Sequence, residues 1–142
     1  MAWLLDTESL TRKLKVHSQG RFDVQVLAEQ RRFTSPGKPL PRGAIDPGRL
    51  FWQRDVVLWG RGEPWVQART LVPARYQRLT RRLRLLGNSP LGAFLFARPG
   101  LTRMSFDFAS LPEGEARRSW FRVGSQQIIL IELFLHEFLD TL

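Results

Sequence analysis

The spacing of apolar residues changes along the chain, and each change marks an element. Ile128 to Leu135 reads IILIELFL, apolar at every position except Glu132. The run is too short to cross a bilayer. Its β-branched residues and the Gly124-Ser125 turn signal before it favour a strand. With a period of two, Ile129, Ile131, Leu133 and Leu135 share one face, and Ile128, Leu130, Glu132 and Phe134 the other. Both faces are apolar, so the pattern predicts a central strand covered on both sides. A carboxylate there is costly unless paired or hydrogen-bonded. Two readings of Glu132 stand open: a structural ion pair, or a residue of a functional site.

Elsewhere the pattern alternates between helix and strand. Asp6 to Gln19 predicts a short helix, with Leu10 and Leu14 on one face, Ser9 as N-cap and Gly20 as the stop. Arg21 to Glu29 alternates strictly, with Phe22, Val24, Val26 and Ala28 on the buried side. Thr34 to Arg49 is rich in proline and glycine and predicts a long crossover loop. Leu50 to Trp59 and Trp65 to Val72 predict two strands joined as a hairpin through Gly60 to Pro64. On the first, Arg54 shares a face with Trp52, Val56 and Leu58, so it needs an anion, either Glu132 or a ligand. On the second, Arg69 is a further candidate. Pro73 to Leu86 predicts an amphipathic helix, burying Tyr76, Leu79, Leu83 and Leu86 and turning its arginines outward. Ser89-Pro90-Leu91 reads as another helix start. The N–H groups of Leu10 and Leu91, each just after a serine cap, are of the kind that binds carboxylate or phosphate. Leu101 to Ala109 alternates as a strand, and Ser119 to Val123 forms a hairpin with the strand of Glu132.

Composition narrows the function classes. A chain of 142 residues, 43% hydrophobic and 25% charged, fits one globular domain, taken here as residues 1–142. There are no cysteines, which excludes disulfides and thiolate chemistry, and two histidines make a dedicated transition-metal site a poor expectation. The start lacks the basic segment and the apolar length of a signal peptide, so the expected location is the cytoplasm. The net charge of +9 comes mostly from arginine. It fits a compositional bias on a solvated surface, attraction of an anionic small substrate, or nucleic acid. Nucleic acid is the weakest of these, because no aromatic stacking motif accompanies the basic helix.

Five blocks in order resemble the bacterial chorismate lyases: WLLDTESLTRKL, FWQRDVVLWGRGEPWVQARTLVP, LLGNSPLGAFLF, the ARRS of Ala116 to Ser119, and IILIELFL. The match runs from Trp3 to Leu135. The resemblance implies an α+β domain, a six-stranded antiparallel sheet with helical flaps over a buried site. It implies conversion of chorismate to 4-hydroxybenzoate and pyruvate, the entry step of ubiquinone synthesis, by a monomer without metal or organic cofactor. No nucleic-acid partner and no membrane insertion are expected. Carried over position by position, it makes Arg54, Leu10, Leu91 and Glu132 substrate-binding, with Glu132 also catalytic. Arg69 matches an arginine expected at the pyruvyl part. Leu10 replaces a family methionine, Glu115 an aromatic and His136 a proline, and about twenty residues common before the first helix are missing. The alternative reading is a ligand-sensing domain of the same fold from a bacterial transcription regulator. Such domains normally follow a DNA-binding winged helix, a pattern this sequence does not show.

Overall fold

The computed structural model describes residues 10–33, 50–86 and 101–142. The expected loop over 34–49 and the helix start at Ser89-Pro90-Leu91 lie outside these residues, as does Ser9. Period-two segments form strands β1 (Phe22–Phe33), β2 (Leu50–Gly60), β3 (Glu63–Pro73), β4 (Leu101–Leu111), β5 (Gly114–Val123) and β6 (Gln126–Leu135). Helices α1 (Leu10–His17), α2 (Gln77–Arg84) and α3 (His136–Leu139) complete the described chain. The strands build one antiparallel sheet in the order β1-β2-β3-β6-β5-β4. The last strand of the sequence therefore joins its own meander, β4-β5-β6, to the β1-β2-β3 meander by pairing with β3, and β6 is central as its pattern predicts.

Tight turns fix the registers. Arg61 and Gly62 join β2 to β3 with φ of 52° and 78°, the left-handed pair of a type I′ hairpin turn. Residue Pro73 ends β3 opposite Phe51 rather than opening a helix, so α2 is shorter than its apolar stripe suggests. Leu79 and Leu83 are the fully buried part of that stripe, with Tyr76 and Leu86 packed beside them. Strand β1 continues past Glu29 to Phe33, and the pairing shifts between Val26 and Ala28. This bulge reverses the alternation, because an extra residue moves every later side chain to the other face. Ala28 leaves the face of Val24 and Val26, and Glu29 joins it.

On one face of the sheet the core divides in two. At one end Leu14 of α1 and Phe138 of α3 pack with Val56, Val66 and Phe134. At the other, Leu79 and Leu83 of α2 pack with Trp52, Val72, Phe121 and Ile128. The opposite face buries Phe51, Leu71, Trp120 and Ile129. Each side chain so buried contributes about 1.5–3 kcal/mol of transfer free energy, which sets the sheet as a rigid platform.

Candidate active site

Between the two clusters a band of polar residues crosses the same face. Directly opposed residues of an antiparallel pair point the same way. One row runs Arg54, Thr70, Leu130, Ser119, and the next runs Val56, Ala68, Glu132, Arg117. Arg54, Thr70, Ser119, Arg117 and Glu132 are all buried. Arg54 and Glu132 thus share a face, two strands apart, at a backbone offset of roughly 10 Å across the sheet and about 7 Å along it. Half-buried Ala68 stands between their strands with only a methyl group, which keeps the platform low there.

Each buried charge has a counter-charge. Glu132 Oε1 accepts from Arg117 Nε at 3.0 Å and from Arg117 Nη2 at 2.8 Å. The Arg117 guanidinium also lies 5.6 Å from the centre of the Phe134 ring, within cation–π range. Arg54 Nε stands 3.4 Å from Glu29 Oε1. Burial lowers the pKa of Arg54, while the charge and hydrogen bond of Glu29 raise it. Arginine's ordinary value is so high that the group stays cationic at neutral pH.

The anion of Arg54 is therefore Glu29, brought to this face by the β1 bulge, and the cation of Glu132 is Arg117. Period-two reading of β1 misses the first. The second hides in Gly114-Glu115-Ala116-Arg117-Arg118, whose residue types are poor in sheet propensity although they open β5. The alternation of Arg117, Ser119 and Phe121 is the signal that extends that strand backwards.

Arg69 is not brought to this band. It pairs in register with Asp55 and Ile131 on the opposite face, so its expected place at the pyruvyl part does not follow. Its Nε donates to Asp55 Oδ1 at 2.8 Å, and its side chain is 45% exposed. A groove of about 310 Å³ opens there, lined by Leu27, Asp55, Gln67, Arg69, Ile131 and Leu133. Leu10 is the first residue of α1, the helix whose Leu14 covers the band from one side. Leu91 lies outside the described residues. Among the described residues no three His, Cys, Asp or Glu gather as a metal site, and no helix is long and apolar enough to cross a membrane.

A buried cation at one end of the band and a carboxylate held by a cation at the other suit a flat, polar, anionic ligand laid across the sheet. The family model described as chorismate lyase matches residues 1–140. The chorismate pyruvate-lyase of Erwinia tasmaniensis is 38% identical over 135 residues, covering 94% of this chain and 76% of that protein. A probable chorismate pyruvate-lyase of Marinobacter nauticus is 39% identical over 140 residues, covering 94% and 74%. Among solved structures, the effector domain of PhnF from Mycobacterium smegmatis matches with a TM-score of 0.60 at 16% identity, over 93% of this chain and 91% of that one. The C-terminal domain of the histidine utilization repressor from Pseudomonas syringae pv. tomato matches with a TM-score of 0.58 at 13% identity, over 82% and 93%. At such identities these two show a shared fold only.

Proposed function

The chain belongs to the chorismate lyase family, and on that footing we propose that it converts chorismate to 4-hydroxybenzoate and pyruvate. The observation that carries the reading is the placement of Arg54 and Glu132 on one face, in a buried polar band between two apolar clusters. Arg54 takes the ring carboxylate, supported by the N–H groups of Leu10 and Leu91. Glu132, held by Arg117, accepts a hydrogen bond from the C4 hydroxyl. Arg69 has no part in this reading.

Chemically, the ring loses its C4 hydrogen as a proton and the C3–O bond breaks. The electron pair of the C4–H bond completes the aromatic ring, and the C3–O pair leaves with enolpyruvate. Protonation of the enolpyruvate methylene carbon gives pyruvate, so atoms and charge balance without an external reactant. Aromatisation drives the reaction, and the protein's work is to position and polarise. Glu132 carries the proton between ring and leaving group in this reading. The protein acts as a cytoplasmic monomer in this reading, and the product feeds ubiquinone synthesis.

The regulator-domain alternative shares the fold but none of the family-level match. Mixing the protein with chorismate in the presence of EDTA separates the two. Equal amounts of 4-hydroxybenzoate and pyruvate are expected; unchanged chorismate, or activity that needs added metal, overturns the cofactor-free lyase.

A further inference from the structure

Ser119 is fully buried, and its hydroxyl has no hydrogen-bond partner among the described residues. An unsatisfied buried hydroxyl costs free energy, and such groups in native proteins call for an explanation. Register places it on the face of the polar band, opposite Leu130 and two residues after Arg117 on β5. It therefore lies in the row of Arg54, Thr70 and Leu130, one strand beyond β6, and next to the Glu132–Arg117 pair on β5. In the orientation proposed above, the ring carboxylate of chorismate points to Arg54 and the C4 hydroxyl to Glu132. The enolpyruvyl ether at C3 is the ring neighbour of that hydroxyl. It emerges beside Glu132, to one side of the line from Arg54 to Glu132, and Ser119 on β5 flanks that line.

We propose that Ser119 is a substrate-specific binding residue, whose hydroxyl donates a hydrogen bond to the oxygen acceptors of the enolpyruvyl group. This rests on the chorismate lyase reading and deepens it. The product 4-hydroxybenzoate lacks the enolpyruvyl group, so Ser119 distinguishes substrate from product. It contributes to holding chorismate and lets go once the C3–O bond has broken.

Ser119→Ala tests the assignment, with Ser119→Thr as the variant that keeps a hydroxyl. For Ser119→Ala we expect kcat/KM for chorismate to fall about tenfold, the scale of one lost hydrogen bond in a closed site. Inhibition by 4-hydroxybenzoate should stay within about twofold, since uniform loss of ring binding would move both. The Tm should hold or rise, because the alanine removes an unsatisfied polar atom. Ser119→Thr should recover part of kcat/KM. Unchanged kcat/KM in Ser119→Ala overturns the proposal, as does an equal loss of product affinity or a Tm that drops by several degrees. Wild-type protein that leaves chorismate intact overturns the lyase reading itself, a result recognisable before any variant is made.

Discussion

At the residue scale, the site is a matter of which charges share a face. Arg54 is 1% exposed, so any anion it binds is bound out of water, where its hydrogen bonds count for more. Arg54→Ala should lose roughly 2–4 kcal/mol of substrate and transition-state binding, read as a drop in kcat/KM. Arg78→Ala removes an equal charge from the exposed side of α2. It should change stability by less than about 0.5 kcal/mol and leave turnover intact. Equal activity in the two variants would remove Arg54 from the site. Glu132→Gln separates charge from shape. The amide oxygen can still accept from Arg117, so a loss of about 1–3 kcal/mol in stability is expected rather than collapse. Turnover per folded molecule should fall by roughly 10²–10⁴-fold if the group carries a proton. A large stability loss with near-normal turnover would make Glu132 the structural partner of Arg117 and nothing more.

At the scale of elements, the sequence is most legible where apolar residues set the period. Strand β6, the β2–β3 hairpin and the buried stripe of α2 follow from residue spacing alone, because apolar residues dominate the face each buries. Legibility ends where a bulge or a polar strand intervenes. Leu27 lies where the pairing of β1 shifts, and nothing in the alternation before it announces that Glu29 will turn to Arg54. Strand β5 begins with charged residues that only its partner β6 can order, so Arg117 stays hidden until the register is known. Arg69 shows the converse: β3 is placed correctly, yet the position matched to a ligand contact faces away from Arg54. The start of β5 is also a point of close approach. A Cβ on Gly114 would stand 1.9 Å from the Phe134 carbonyl oxygen, and the φ of 155° disfavours side chains. Gly114→Ala should therefore push β5 from β6, costing about 1–3 kcal/mol in chemical denaturation. Activity should fall with it, since β5 carries Arg117 to Glu132. At Gly62, where a Cβ would meet nothing within 4 Å, alanine should cost about 1 kcal/mol through its left-handed backbone alone and spare turnover. Equal effects on activity at the two glycines would show that β5 does not position the site.

At the scale of the whole molecule, the net charge of +9 acts over distances that the buried pairs do not. Arg75, Arg78, Arg81, Arg82 and Arg84 are exposed around α2, the helix whose Leu79 and Leu83 close one side of the polar band. Chorismate carries two carboxylates, so this field should raise its local concentration near the site and speed encounter. Exposed charges are screened over about 8 Å at physiological ionic strength, whereas buried contacts are screened much less. Raising salt should accordingly lower kcat/KM several-fold by weakening encounter, while kcat, governed by the closed complex, changes little. Replacing two or three of the exposed α2 arginines with glutamine should flatten that salt dependence and leave kcat unchanged. A kcat/KM indifferent to salt would assign the arginine excess to composition alone. Retention of the protein on duplex DNA with a steep salt slope would instead reopen a nucleic-acid role for the basic helix. The two outcomes differ in what they leave intact: in the first the band still turns over chorismate without help from the surface, and in the second the surface serves a partner that the band does not recognise.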